Sequence, residues 1–452
     1  MNRYDEVDFA WGVSTAAYQT EGAYVKDGKG LSIWDAFTGT RGKIRSGQHA
    51  RVACDFYHRY AQDISILKVL GIPHFRFSIS WSRILPEGTG TVNWKGIAFY
   101  HKVIDYCLEL GITPWITLYH WDLPLALEKK GGWANRDIIH WFEEYVTLCM
   151  RTYGSKVKHW IVMNEPMAFT GAGYFLGLHA PGKRGLKYFL PAMHHAALSQ
   201  AAGIRCIQSF WSDAHLGTTF SASWVEPHTD RDKDIQAAMR VDALLNRAFI
   251  EPLMGLGYPL GTLPFLQRLE TYVKDGDETA LAAPVDFVGL QIYTRELVRY
   301  NWLTPFIQAS LVPAPKRNVP LTSMQWEVYP QSIYKMLHQF NRYVGVRSII
   351  VTENGAAFPD TIHNGKVADY ERCQFIEEYT EQVMRARMEG VPVNGYFVWT
   401  LTDNFEWAEG YHPRFGLVHV DFDTQTRTIK QSGYAYSNLI RRYALGETSL
   451  AG

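Results

Sequence analysis

Eight short apolar runs alternate with helical patterns along this chain, and that alternation constrains the fold more than any other feature. The runs begin near residues 9, 74, 113, 158, 215, 286, 348 and 394. Most are continuously apolar, as in strands buried on both faces of a parallel sheet. The segments between them, such as YAQDISILKVLGI and FYHKVIDYCLELGI, are apolar at helical spacing and end near a glycine. Eight such units predict an α/β fold, a single (β/α)8 TIM barrel.

No linker, internal repeat or change of composition divides the chain, so we expect one domain over residues 1–452. Barrels of this kind often run as a single domain, but they typically have about 250 residues. The excess is therefore expected in elaborated loops at the C-terminal face of the strands. Segment 300–326 is the main candidate, because it contains several prolines and lacks periodicity.

The charge balance excludes several classes of partner. Lys plus Arg and Asp plus Glu both number 45, so no net charge favours nucleic acid or an anionic membrane. No run approaches the roughly 18 apolar residues of a spanning helix, and the first residues lack the apolar stretch of a signal peptide. The five cysteines are widely spaced without a CxxC pair, which predicts neither disulfides nor a zinc site. We therefore expect a cytoplasmic protein with no nucleic-acid and no membrane partner.

Two glutamates stand at strand ends, where the chemistry of such barrels is found. Glu165 follows the fourth run in WIVMNEP, and Glu353 follows the seventh in IIVTENG. Side chains from two strand ends of one barrel can face each other across its mouth, and glycoside hydrolysis requires two carboxyl groups that flank one bond. The alternative is that each glutamate only caps the next helix or pairs with an arginine. Both interpretations stay open at this point.

Six motifs occur in order at strand ends and in the loops that follow them: WGVSTAAYQTEG, FRFSISWSRILPEG, LYHWDLP, NEP, TENG and VWTLTDNFEWAEGYHPRFGLVHVD. With this ordered set the chain resembles glycoside hydrolase family 1, the β-glucosidase family, from about residue 8 to 442. The resemblance implies that the predicted domain is catalytic and needs neither a cofactor nor a metal. The implied partner is a small-molecule β-glycoside or oligosaccharide.

The resemblance assigns roles to the two glutamates. Glu165 matches the general acid/base and Glu353 the nucleophile, which implies retention through a covalent intermediate, with the carboxyl groups about 5–5.5 Å apart. Arg76 and Tyr293 match the residues that keep Glu353 ionised. The charge of Glu353 is expected to raise the pKa of Glu165 and so keep it protonated.

The resemblance also implies a set of residues that bind the sugar. Asn164 is expected to bond the 2-hydroxyl, Trp399 to lie under the apolar face of the sugar, and Trp407 to reach a hydroxyl with its ring edge. Trp326 matches a wall of the leaving-group site, whose residues vary within the family. The full set expected to bind substrate is Gln19, His120, Trp121, Asn164, Gln291, Trp326, Trp399, Glu406, Trp407 and Phe415.

Two positions depart from the family pattern. Met167, directly after NEP, stands where tryptophan is common, so a flexible side chain replaces a rigid wall of the leaving-group site and leaves the aglycone preference open. Gln291 stands where asparagine is common. Its extra methylene is expected to perturb the pKa of Glu165, in a direction that the sequence does not give.

Other functions fit the sequence less well. A 6-phosphoglycosidase carries phosphate contacts where this chain has Glu406, whose carboxylate would repel a phosphate, and a thioglucosidase lacks the acid that Glu165 supplies. The run GAGYFLG at 171–177 does not have the glycine spacing of a nicotinamide dinucleotide loop. The adjacent His194 and His195 point to different helix faces, so they cannot chelate one metal.

The sequence therefore predicts a retaining exo-β-glycosidase, which removes the non-reducing terminal β-D-glucosyl residue from oligosaccharides or from aryl and alkyl glycosides. Galactosides and fucosides are further expected substrates, and a role in cellulose and polysaccharide degradation would follow from this activity. The alternatives are a catalytically inactive sugar-binding barrel and a 6-phospho-β-glycosidase. The preferred sugar, the aglycone and the oligomeric state stay open.

Overall fold

The computed structural model describes residues 9–446, and eight parallel strands within them close into a barrel. The strands are β1 Ala10–Ser14, β2 His74–Ser78, β3 Thr113–Tyr119, β4 His159–Asn164, β5 His215–Ser221, β6 Phe287–Gln291, β7 Ile349–Asn354 and β8 Val393–Trp399. Each strand pairs with the next along the chain, and β8 closes the barrel against β1. All eight coincide with predicted runs, so the predicted (β/α)8 barrel is confirmed.

A helix follows each strand and lies outside the barrel, and the helix after β5 packs on a separate outer sheet that is described below. Apolar residues at helical spacing explain these elements, since a stripe such as Phe142, Val146, Cys149 and Tyr153 is fully buried on one helix face. The helices are α1 Phe56–Leu70, α2 Trp94–Glu109, α3 Ile138–Tyr153, α4 Leu186–Phe210, α5 Asp232–Asp242, α6 Gln331–Phe340, α7 Tyr370–Met388 and α8 Gln431–Ala444.

The connections between these strands and helices carry further structure. Short helical segments include Ala17–Thr20, Ile33–Thr38, Trp81–Ile84, Leu125–Lys129, Pro166–Thr170, the π-helical Gly171–Leu176 and Ala243–Arg247, Ile250–Leu253, Pro264–Thr271 and Asp277–Leu281. Two small antiparallel pairs are Ile362–His363 with Lys366–Val367, and Val418–Val420 with Arg427–Ile429.

A three-stranded outer sheet lies beside the barrel and consists of Trp224–Pro227, Arg295–Tyr300 and Ala309–Leu311. The expectation that segment 300–326 has no regular structure is therefore wrong over Ala309–Leu311, which pairs antiparallel with Arg295–Tyr300. The strand was missed because three residues are too short to show a period. Val298 and Ala309 of this sheet pack against Val241 of α5, and the three residues belong to a buried cluster separate from the main core.

Aromatic and aliphatic side chains fill the barrel interior toward the amino-terminal ends of the strands. Trp115, Phe287 and Phe397 pack there with Ala10, Ile161 and Ile350, all buried. Glycine is required opposite the large rings, because a Cβ at Gly12 would lie 2.4 Å from Phe397 and one at Gly217 would lie 2.5 Å from Phe287. Because side chains fill the interior near the amino-terminal ends of the strands, a ligand can enter the barrel only from the C-terminal ends.

Over residues 9–446, no helix combines the length and apolar character that a membrane span requires. The five cysteines, all within that range, are free thiols, as the sequence predicts, and Cys54, Cys107 and Cys149 are buried.

Candidate active site

A cavity of about 360 Å³, here called the mouth cavity, opens at the C-terminal ends of the strands. Three residues of the predicted site, Gln19, Arg76 and Asn164, are fully buried and hydrogen-bond to its lining side chains. The structure therefore brings together every residue of the predicted site. Those that line the cavity are His120, Trp121, Glu165, Gln291, Tyr293, Trp326, Glu353, Trp399, Glu406, Trp407 and Phe415.

Glu165 directly follows β4, and its backbone is left-handed (φ 45°, ψ 66°). Its backbone N–H donates to the carbonyl of Thr219, 2.9 Å away, which ties the turn to β5. The side chain makes no capping hydrogen bond to the helix Pro166–Thr170. The capping alternative is therefore wrong for Glu165, whose carboxyl group is turned into the mouth cavity.

Glu353 is the second-last residue of β7 and accepts three hydrogen bonds. Arg76 Nη1 donates to Oε1 at 2.5 Å, Gln291 Nε2 donates to the same oxygen at 2.7 Å, and Tyr293 Oη donates to Oε2 at 2.7 Å. The alternative of an arginine partner thus holds for Glu353, but the ion pair is buried, and Glu353 lines the cavity with Arg76 behind it.

The two carboxyl groups have different environments. Burial raises the pKa of Glu165 well above its usual range, and the negative charge of Glu353 raises it further. Burial also raises the pKa of Glu353, but Arg76, Tyr293 and Gln291 oppose that effect by stabilising the ionised form. The pKa of both groups is raised, but that of Glu165 more strongly, so the proton of the pair resides on Glu165.

Asn164 connects the nucleophilic side of the cavity to His120. Its Oδ1 accepts from Arg76 Nη2 at 2.5 Å and from Gln291 Nε2 at 2.6 Å, so its Nδ2 donates to His120 Nε2 at 3.1 Å. Burial and the charge of Arg76 hold the pKa of His120 well below its usual range, so the ring is neutral and carries its proton on Nδ1. That N–H has no partner among residues 9–446 and is available to a ligand.

Gln291 hydrogen-bonds to a different carboxyl group from the one expected. Its amide donates to Glu353 and Asn164, and it makes no hydrogen bond to Glu165. Gln291 stabilises the ionised form of Glu353, so it acts on the pKa of Glu165 through the charge of Glu353.

Glu406 and Gln19 form a second polar wall. Gln19 Nε2 donates to Glu406 Oε2 at 3.3 Å and to the carbonyl of Phe405 at 2.9 Å, whereas Gln19 Oε1 is buried with no partner in the described part of the chain. Burial and the charge of Glu353 raise the pKa of Glu406 to about 8. Near neutral pH its carboxyl group is therefore largely protonated, and charge repulsion by Glu406 is a weak argument against a phosphate.

Aromatic rings build two sides of the cavity. His120 stacks with Trp399 and Trp407, with ring centroids 6.0 Å apart in each pair. Trp121 packs 4.6 Å from Trp407, and its Nε1 donates to the carbonyl of Asn164 at 2.9 Å, so its only polar group is already used. A group of three rings, Tyr293, Trp326 and Phe415, forms the other side. Flat apolar rings with polar edges suit the faces of a sugar.

Several lining residues escaped the sequence analysis. Ser221 is the last residue of β5, so the strand-end argument that found Glu165 could have found it too; its hydroxyl hydrogen-bonds to Glu165 and opposes the rise in its pKa. Glu296 belongs to the outer sheet, where nothing in the sequence marks it, and burial raises its pKa to about 7. The complete set of additional lining residues is His179, Ser221, Ala222, Ser223, Thr294, Glu296, Met324, Ala408 and Glu409.

Residues 9–446 contain no group of three or more His, Cys, Asp or Glu side chains that could hold a metal ion. The adjacent histidines are separately engaged, His194 with Tyr258 and Asp277 and His195 with the carbonyl of Trp133.

The raised pKa of Glu406 predicts a pH-dependent stability. Between 4.5, the ordinary value, and about 8 the folded protein holds a proton that the unfolded chain has lost, so the free energy of unfolding falls as the pH rises through this interval. Glu406→Gln keeps a neutral side chain at every pH. From pH 5 to pH 8.5 its melting temperature is therefore expected to fall less than that of the parent. Thermal melts at the two pH values test this, and equal losses would contradict it.

A parallel barrel with two buried carboxyl groups at its mouth, one protonated and one ionised, defines the class of glycoside hydrolases. The family profile described as "Glycosyl hydrolase family 1" matches residues 2–444. The chain belongs to glycosyl hydrolase family 1, in agreement with the resemblance noted from its motifs.

Individual relatives are similar over nearly the whole chain. A 1,4-beta-D-glucan glucohydrolase of Thermotoga neapolitana is 43% identical over 98% of this chain and 100% of its own length. Beta-glucosidase A of Thermotoga maritima is 42% identical over 97% of this chain and 98% of its own. The solved structure of a β-glucosidase from Thermotoga maritima in complex with deoxynojirimycin has a TM-score of 0.93, at 42% identity over 97% of this chain and 99% of that one.

Proposed function

We propose that this protein is a retaining exo-β-glycosidase whose main substrates are β-glucosides. The observation that carries the proposal is the pair Glu165 and Glu353, which line one cavity in environments that leave the first protonated and the second ionised. The names of the relatives, β-glucosidase and glucan glucohydrolase, support glucosides as the substrate class.

In the first step the Glu353 carboxylate attacks the anomeric carbon while the bond to the leaving oxygen breaks. Glu165 gives its proton to that oxygen, so the aglycone departs as a neutral alcohol. Glu353 is now an ester without charge, which lowers the pKa of Glu165. Glu165 then takes a proton from water, the water oxygen bonds to the anomeric carbon from the side that the aglycone left, and the ester bond breaks. We propose that the carboxyl groups lie about 5–5.5 Å apart, the separation for retention.

Sugar binding is proposed from groups that lack partners in the described chain. Buried donors and acceptors without a partner are costly unless a ligand satisfies them, and Gln19 Oε1 and His120 Nδ1 are such groups. The side chains of Gln19, Arg76 and Asn164 close the floor, which favours a terminal sugar over the interior of a chain. No Lys or Arg of residues 9–446 lines the mouth cavity, and this absence favours a free sugar over a 6-phosphate.

A substrate panel tests this proposal. Purified protein is assayed with p-nitrophenyl β-glucoside, β-galactoside, β-fucoside and β-glucoside 6-phosphate. We expect kcat/KM to be highest for one of the unphosphorylated glycosides, with the 6-phosphate at least about 100-fold lower, because a dianion would enter a cavity that carboxyl groups line and whose nearby cation, Arg76, is already paired with Glu353. A preference for the 6-phosphate would reject the free-sugar assignment. If none of the four is hydrolysed, the inactive sugar-binding barrel is correct.

We further propose that residues 1–452 act as one catalytic domain in the cytoplasm, and that short glucosides released from cellulose are secondary substrates. The glucan glucohydrolase named above supports this substrate source. The five free cysteines fit the reducing environment of that compartment.

A further inference from the structure

A second cavity, of about 660 Å³ and here called the apolar cavity, lies beside the mouth cavity. Apolar residues from several elements form it, and none of its lining residues carries a charge. Only the hydroxyls of Ser221, Ser223, Thr304 and Ser310 add polar side-chain groups. The mouth cavity, in contrast, is lined by Glu165, Glu296, Glu353, Glu406 and Glu409.

The two cavities adjoin each other. Ser221 and Ser223 line both of them, and they follow each other closely at the end of β5. Glu165 lies at the same junction, because Ser221 hydrogen-bonds to it and the helix Pro166–Thr170 that begins after it presents Met167 and Ala168 to the apolar cavity. The apolar cavity is therefore on the side of the proton donor.

That position identifies which part of a substrate it would receive. The general acid must contact the oxygen of the leaving group, so the aglycone lies on the side of Glu165 and the sugar on the side of Gln19 and Glu406. An aglycone that extends away from the scissile bond past Ser221 would enter the apolar cavity. Met167, which stands on this path, is flexible and leaves room that a rigid ring would fill.

We propose that the apolar cavity is the aglycone site and that the preferred substrates are β-glucosides of bulky aromatic alcohols with two or more fused rings. The inference rests on the proposed function and names its substrate class. A second sugar would need several hydrogen-bonding partners, which four hydroxyls around about 660 Å³ do not supply. Aromatic walls favour an aromatic guest, and Phe175, Phe189, Phe265 and Phe306 provide them.

The rim of the cavity has the exposure expected of a surface that a ligand covers. Leu176, Phe306 and Leu311 line it and are 51%, 43% and 46% exposed. Such clustered apolar exposure on a folded chain marks a binding surface. The π-helical segment Gly171–Leu176, which contributes Phe175 and Leu176, is the GAGYFLG run whose spacing did not fit a dinucleotide.

The test compares naphthyl and phenyl β-glucosides whose phenols are matched in acidity. In the parent, kcat/KM for the naphthyl glucoside is expected to exceed that for the phenyl glucoside at least about tenfold, because a second ring is buried. Leu176→Asp and Phe306→Asp each place a charge on the rim and are expected to lower this ratio about tenfold or more. Both positions are half exposed, and aspartate tolerates the left-handed backbone at Phe306 (φ 66°). The control Leu108→Asp, 44% exposed on α2, is expected to leave the ratio unchanged.

The outcomes separate this inference from the proposed function. Turnover of the phenyl glucoside with a ratio near one in the parent, or a ratio that neither rim variant changes, would overturn the aglycone assignment and leave the glycosidase assignment intact. Turnover of neither glucoside would overturn both. A second measurement is the inhibition constant of uncleaved thio-linked analogues: the naphthyl thioglucoside is expected to bind more tightly than thiocellobiose, and the reverse order would make a second sugar the occupant.

Discussion

Replacing Glu353 by alanine is expected to lower kcat for β-glucosides on the order of 10⁵-fold, because the variant has no group to form the glycosyl ester. The loss should be the same for good and poor leaving groups, since the missing bond is required for both. Glu353→Ala also frees Arg76, Gln291 and Tyr293 from their shared partner. The measurement is steady-state hydrolysis of p-nitrophenyl β-glucoside.

Azide distinguishes a lost nucleophile from a damaged fold. In Glu353→Ala the small anion can occupy the vacated space beside Arg76, attack the anomeric carbon and give an α-glucosyl azide, with inverted configuration. The matched control is Glu377→Ala, which breaks a surface ion pair with Arg442 and is expected to retain full activity. A β-configured azide product from Glu353→Ala would mean that the roles of the two glutamates are exchanged.

Replacing Glu165 by alanine is expected to have an effect that depends on the leaving group. For substrates that need protonation, such as phenyl β-glucoside, kcat/KM should fall about 10²–10⁴-fold, the usual contribution of a general acid. For 2,4-dinitrophenyl β-glucoside, which leaves without a proton, kcat/KM should change less than about tenfold. Its kcat and KM should fall together, because the ester now waits for water that no base activates.

The configuration of the product that Glu165→Ala forms with azide tests the role of Glu165. Azide needs no base, so it should accelerate breakdown of the ester in Glu165→Ala and give a β-glucosyl azide with retained configuration. A loss that is equal for phenyl and dinitrophenyl glucosides would show that Glu165 is not the proton donor.

The barrel was predictable because each strand is buried on both faces, and continuous apolar runs report that directly. The carboxyl pair was predictable for a related reason, since the ends of parallel strands converge on one rim. What the sequence could not supply was the direction of side chains beyond the rim. Gln291 was expected to act on Glu165, but its amide hydrogen-bonds to Glu353 on the neighbouring strand β7 and acts on Glu165 through that residue.

The outer sheet and the apolar cavity were missed for another reason. They are assembled from segments far apart in the chain, such as Met167, Val241 and Ala309, whose meeting depends on how long loops fold back over the barrel. The pattern of Asp232–Asp242 shows a helix but not what it packs against, and Ala309–Leu311 becomes a strand only because Arg295–Tyr300 lies beside it. Contacts of this kind come from tertiary structure and leave no local pattern.

The left-handed turn at Glu165 has a consequence for which residues could ever replace it. A positive φ costs an ordinary side chain free energy that glycine, asparagine and aspartate largely avoid, so the chain maintains an unfavourable backbone at the very position where it also buries a carboxyl group. Glu165→Gly would remove both the cost of the positive φ and the cost of burying the carboxyl group. Selection for stability alone would therefore favour glycine at position 165 and an inactive enzyme. The glutamate is kept there because catalysis requires it.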